Sequence, residues 1–181
     1  MADDNDKWSL WKRNVVDRFK EVPTEEIRAE LQRTAHPFAV MMAQIEGDFN
    51  FGSVLRSANA FNAKEVFYFG TRGWDRRSAL GAQNYTPLTH LRTLDEIKEL
   101  KNRYTFVALE NTGGTTPMST FKWPEKSLLI VGEESLGIPE DVLMLCDVRV
   151  EITQYGSIRS LNASVAASIA MYDYTSKFNK V

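Results

Sequence analysis

Ser127-Leu-Leu-Ile-Val-Gly-Glu-Glu-Ser-Leu-Gly-Ile-Pro139 reads as a buried strand, a glycine-bearing loop and the first turn of a short helix. Residues 127–131 are apolar almost throughout, and such strands belong in a sheet covered on both faces. The same order recurs along the chain. Phe38 to Ile45 is one continuous apolar run, and Glu65 to Phe69, Tyr104 to Leu109 and Val148 to Ile152 are shorter ones. Helical patterns lie between them. Thr24, Glu25 and Glu26 open a helix that ends before Pro37. Asn50 caps a helix through Phe61, with Val54, Ala58 and Phe61 along one stripe. Thr93 caps Leu94 to Asn102, and Ser160 to Phe178 closes the chain as a long helix. Residues 6–20 read as a further helix with Trp8, Trp11, Val15, Val16 and Phe19 on one side. Strands alternating with helices predict an α/β domain on a mainly parallel sheet flanked by helices.

The bulk composition narrows the class of function. A length of 181 residues suits one domain, and 43% apolar with 25% charged residues is ordinary for a globular protein of the cytoplasm. No apolar run reaches a bilayer span, and Met-Ala-Asp-Asn-rich residues 1–6 do not read as a secretory signal, so no membrane role is expected. Cys146 is alone, which excludes an internal disulfide framework. With His36 and His90 it gives no metal-ligand spacing, so no metal is expected. Net charge is −2, which does not advertise a nucleic-acid partner. Two local stretches do. Lys12 and Arg13 lie among Trp8 and Trp11, and Arg72, Arg76 and Arg77 surround Trp74. Cations beside aromatics suit RNA, where phosphates are neutralised and bases stack. Solvated faces with tryptophan turned inward would give the same pattern.

No Gly-x-Gly-x-x-Gly follows a strand and no phosphate-binding P-loop is present. Instead three loops follow three strands: Glu110 to Gly114, Gly132 to Gly137 and Thr153 to Asn162. On a parallel sheet, ligands sit beyond the strand C-termini, where these loops fall. The stretch Asn111 to Trp123 reads as a surface connection. Ser160-Leu-Asn-Ala-Ser164 offers hydroxyl, amide and helix N–H donors, as a ligand site or as a plain helix cap. Asn50 and Arg56 are one and two-thirds turns apart and need not point the same way.

Three segments in order, Asn50-Phe-Gly-Ser-Val-Leu-Arg56, Gly132-Glu-Glu134-Ser-Leu-Gly137-Ile138-Pro139 and Ile152 through Ser160-Leu161-Asn162, resemble the motifs of the SPOUT superfamily of RNA methyltransferases, in its TrmH/SpoU branch. The resemblance runs over about residues 38–176. It departs in two places: Glu46-Gly-Asp-Phe49 precedes the first motif where a Pro or Asn-rich turn is usual, and Thr153 follows Ile152 where Pro is common. The resemblance implies a methyltransferase domain over 36–181 with a deep C-terminal trefoil knot, and residues 1–35 as an N-terminal helical extension in contact with RNA. It implies S-adenosylmethionine as methyl donor, held by Leu109, Gly132, Ile152, Ser160 and Leu161, and a homodimer through the knot face. Arg56, Asn50, Glu134, Ser160 and Asn162 would form the catalytic group, with Arg56 near a partner chain's cofactor. The wording looks most like the enzymes that methylate the ribose 2′-oxygen of guanosine 18 in tRNA. Ribosomal RNA is the alternative substrate, and a non-catalytic knotted RNA-binding protein the alternative of another class. No histidine lies in the motifs, so an imidazole base is absent.

Overall fold

A computed structural model describes residues 14–45, 48–70, 73–133 and 136–178. In chain order the elements are α1 (Thr24–Thr34), β1 (His36–Ala43), α2 (Asp48–Ala60), β2 (Ala63–Phe69), β3 (Leu88–Leu91), α3 (Leu94–Glu99), β4 (Thr105–Leu109), β5 (Thr116–Pro117), β6 (Ser127–Val131), α4 (Glu140–Leu143), β7 (Val148–Glu151) and α5 (Ala163–Phe178). The strands form one seven-stranded sheet in the order β3-β2-β1-β6-β4-β7-β5. Every pairing is parallel. The expected α/β architecture is therefore present.

Strand alternation sorts the side chains into two cores. On β1, Phe38, Val40 and Met42 face one way, toward α2 and α5; Ala39, Met41 and Ala43 face the other, toward α3 and α4. β6 repeats the division, with Leu129 and Val131 on the first face and Leu128 and Ile130 on the second. These two strands are central and buried on both faces, which explains their unbroken apolar runs. On the first face Tyr174 of α5 packs its ring 4.5 Å from that of Phe38.

The structure corrects several expectations. Within 14–20 only a single 3-10 turn, Asp17–Phe19, forms in place of a helix. Val16 before it is extended, as suits a β-branched residue next to Val15, and Phe19 is pinned in a small cluster with Ile27 and Tyr85. The rest of the stretch expected to be helical, with Lys12 and Arg13, lies outside the described residues. The helix expected to start at Asn50 starts at Asp48, so Asn50 sits in its first turn and does not cap it. The last helix starts at Ala163 and not Ser160. The connection 111–123 is not wholly on the surface: Met118, Phe121 and Trp123 are buried, and Trp123 Nε1 donates to Asp173 on α5 at 2.7 Å. Strands β3 and β5 carry no long apolar run and were not expected.

Cys146 lies half-buried against the second core, and burial pushes its thiol up to about 12. Relative to an ordinary thiol, the shift cuts the thiolate fraction at pH 8 roughly 10³-fold. Alkylation of the folded protein by iodoacetamide should be slow by about that factor and rapid in denaturant, followed by mass spectrometry. Equal rates in the two states would contradict this burial.

Candidate functional site

Beyond the C-terminal ends of β4, β6 and β7 lies one cleft. Leu109, Gly132, Ile152, Ser160 and Leu161 all line it, together with Glu110, Asn111, Glu133 and Gln154. The five residues singled out for a cofactor are thus brought together from three separate loops. Val131, Ala163 and Ala166 add apolar wall.

Main-chain bonds tie the two ends of the loop after β6 together. Glu133 N–H donates to the Gly137 carbonyl at 3.1 Å, and Gly137 N–H returns a bond to the Glu133 carbonyl at 2.9 Å. A Cβ on Gly132 would lie 2.2 Å from the carbonyl group of Gly137 and 2.4 Å from the amide nitrogen of Ile138, so only glycine fits there. Gly137 has φ +72°, a left-handed turn that glycine adopts without strain. From the neighbouring loop, Glu110 Oε1 accepts the Ile138 N–H at 2.9 Å, and Glu110 N–H donates to the Val150 carbonyl at 3.0 Å. Asn111 Nδ2 donates to the Arg159 carbonyl at 2.8 Å and ties the first loop to the third. Sequence reading pointed to the loop after Leu109 but not to Glu110 as its anchor. The signal was a carboxylate directly at a strand end, where no local partner could take it up.

Asn162 joins this cleft to the first motif. Its Oδ1 accepts the N–H groups of Ser164 (3.0 Å) and Val165 (3.3 Å) and the Ser164 hydroxyl (2.7 Å), so it caps α5. Its Nδ2 donates to Asn50 Oδ1 at 2.9 Å. Nearly two turns further along, the hydroxyls of Ser57 and Ser168 are 2.8 Å apart, and Ser168 donates to the Ser164 carbonyl. A polar chain therefore fastens α2 to α5. Replacing Asn162 by alanine should cost about 1–2 kcal/mol through the lost cap and the lost cross-link. Asn162→Asp should recover most of it, since a carboxylate still caps the helix and the Asn50 amide can turn to donate. Urea unfolding of the two variants measures this; equal losses would contradict the capping role.

Arg56 does not share the cleft. It is exposed on α2, makes no ion pair among the described residues, and lines a different groove with Asn14, Arg18, Asn59 and Tyr85. Phe49 stands seven residues before it, on nearly the same side of the helix, and is 81% exposed. On α5, Val165, Ile169 and Tyr172 also show apolar surface, beside Phe61. Among the candidates for RNA contact, Arg76 is exposed and lines a third cavity, while Arg77 pairs with Asp75 at 2.5 Å. Lys12, Arg13, Arg72 and Glu134 lie outside the described residues.

Residues 37–172 match the SpoU rRNA Methylase family. Over 182 aligned residues the chain is 28% identical to the mouse tRNA (guanosine(18)-2′-O)-methyltransferase TARBP1, an alignment that covers 96% of this chain and 12% of that protein. The chain thus spans a small part of that relative's length. The fold is similar to a TrmH/SpoU tRNA modifying enzyme of A. aeolicus, with a TM-score of 0.76 at 20% identity over 85% of this chain and 81% of the other. It is also similar to the SpoU methyltransferase AviRb of Streptomyces viridochromogenes in complex with AdoMet, with a TM-score of 0.71 at 24% identity over 78% and 58%.

Proposed function

Because the chain belongs to the SpoU rRNA Methylase family, we propose that it transfers a methyl group from S-adenosylmethionine to a ribose 2′-oxygen of RNA, with tRNA of the guanosine 18 type as the favoured substrate. The observation that carries this reading is the cleft in which Leu109, Gly132, Ile152, Ser160 and Leu161 converge. Its residues fit the cofactor. Apolar walls suit a purine ring, the Gly132 position admits no side chain, and the Glu110 and Glu133 carboxylates suit a ligand carrying positive charge. When bound, S-adenosylmethionine supplies an electrophilic methyl group on a sulfonium centre.

The chain's own task is to orient the ribose and stabilise the oxygen that loses its proton. Arg56 carries that second role. A guanidinium keeps its proton at any physiological pH, so it acts as a fixed cation beside developing alkoxide charge and not as a base. A phosphate or water takes the proton. Asn50, oriented by Asn162, positions the ribose or Arg56; Ser160 and Asn162 complete the polar pocket, and Glu134 holds the loops or pairs with Arg56. Since Arg56 lies outside its own chain's cleft, it serves the cleft of a second copy. The exposed Phe49, Val165, Ile169 and Tyr172 are the apolar surface for such a homodimer, and we extend the reading to the trefoil knot of the C-terminal segment that the motifs imply. Residues 36–181 are then the catalytic domain. Residues 1–35 form an extension that meets RNA with Lys12 and Arg13, and Arg72, Arg76 and Arg77 add to that contact.

Ribosomal RNA is the second reading, favoured by the family that residues 37–172 match. Labelled methyl transfer to purified tRNA and to ribosomal RNA, assayed separately and followed by site mapping, tests both. The expected label is alkali-resistant and falls in tRNA. Label in neither RNA, or label on a base, would overturn the reading.

A further inference from the structure

We infer that a second cavity, apart from the methyl-transfer cleft, holds one splayed-out nucleotide of the RNA; this rests on the RNA-methyltransferase reading. The cavity measures about 530 Å³, within the range of sites that enclose a nucleotide-sized ligand, and none of its lining residues lines the cleft. Arg28 and Gln32 of α1, Tyr68 of β2, and Trp74, Arg76 and Gln83 of the β2–β3 connection surround it.

Three properties match a nucleotide. The first is charge. Among the described residues, two arginines and no carboxylate line the cavity, in a chain whose net charge is −2. Arg28 is held in place by the Glu25 carboxylate at 2.7 Å, while Arg76 is exposed with no ion pair among the described residues. Together they suit a phosphate, the fixed cation beside the uncommitted one. The second is aromatic surface. Trp74 stacks on Phe51 with centroids 4.6 Å apart. Phe51 meets the Tyr68 ring edge-on at 5.3 Å, and Tyr68 stacks on His90 at 4.4 Å. Trp74 and Tyr68 line the cavity and are only half-buried, and unpaired bases stack on such rings. Phe51 directly follows Asn50, so the aromatic run leads from the cavity to the first motif.

The third is an uncommitted amide. Gln83 Oε1 is shut off from solvent with no hydrogen-bond partner among the described residues. A buried acceptor without a donor is destabilising, and the side chain that bears it lines the cavity. Turning the amide toward the cavity offers the oxygen to a base edge that carries N–H donors. Adenine, cytosine and guanine offer an exocyclic amine; uracil offers only its ring N3–H, flanked by two carbonyl oxygens that repel the Gln83 oxygen.

The test uses the full chain, with S-adenosylhomocysteine added only where RNA binding is measured. Retention of tRNA on filters gives the RNA affinity of the wild type, Arg76→Ala and Gln83→Leu, and calorimetry gives each protein's affinity for S-adenosylmethionine. Both variants should lose about tenfold in RNA affinity with cofactor affinity unchanged. Gln83→Leu should melt no lower than the wild type, because it removes an unpaired acceptor. Adenosine and cytidine monophosphates should bind the wild type more tightly than uridine monophosphate. Undiminished RNA affinity in both variants would overturn the site, as would a wild type that binds no RNA. A wild type that transfers no methyl group, with variants that still lose RNA affinity, would leave the site standing and remove the methyltransferase reading instead.

Discussion

Replacing Arg56 by alanine should lower methyl transfer by about 10²- to 10³-fold, the loss typical of one preorganised charge at the reacting oxygen. The melting temperature should not move, because Arg56 is exposed and makes no ion pair among the described residues. Lysine keeps the charge but not the planar fork of donors, so Arg56→Lys should also fall well below the wild type. Near-normal transfer by Arg56→Ala would remove the assignment. Position adds a sharper test. In its own chain Arg56 lies on a different groove from the cleft that gathers Gly132 and Ile152. A chain lacking Arg56 but with an intact cleft should therefore be rescued by a chain with a blocked cleft and an intact Arg56. Each mixed dimer holds one complete site. Mixing the two inactive variants under conditions that exchange subunits should restore a substantial fraction of wild-type turnover. No restoration, with mixed dimers demonstrated, would place Arg56 in its own chain's site.

The exposed face around Arg56 shows where sequence reading stops. Periodicity indicates that Val54, Ala58 and Phe61 share a stripe, and Val54 and Ala58 are buried as that stripe requires. It does not say which neighbour the next stripe meets. The unbroken apolar runs of β1 and β6 were legible because burial on both faces leaves no polar position. β3 was not legible: its four residues include Thr89 and His90, both exposed at a sheet edge. The segment 14–20 has helical spacing, yet Val16 is extended, and the contacts of Phe19 with Ile27 and Tyr85 are tertiary. The cleft was half legible. Glycine and Ser-Leu-Asn segments announced that loops meet a ligand or each other. The bonds that assemble them, such as Asn162 to Asn50, join residues 112 positions apart and have no local signature.

The blocked cleft needed for the mixing experiment comes from Gly132. Gly132→Ala should lower stability by about 1–3 kcal/mol, and no calorimetric binding of S-adenosylmethionine should be detectable. The new methyl would fall 2.2 Å from the Gly137 carbonyl. That carbonyl is main chain, and the Glu133 N–H and the Gly137 N–H bond pair hold it in place. Nothing there is the far end of a flexible side chain, so the main chain at Gly137 and Ile138 has to move. Moving it also strains the Ile138 N–H bond to Glu110, which ties this loop to the end of β4. Two cleft walls therefore shift with one methyl group. Gly113→Ala is the matched control, because a Cβ there meets nothing within 4 Å and its backbone is not left-handed. Urea unfolding and cofactor calorimetry on both variants should separate them clearly. If Gly132→Ala bound S-adenosylmethionine as the wild type does, the 132–139 turn could not be the cofactor's wall, and the catalytic reading of the cleft would fall with it.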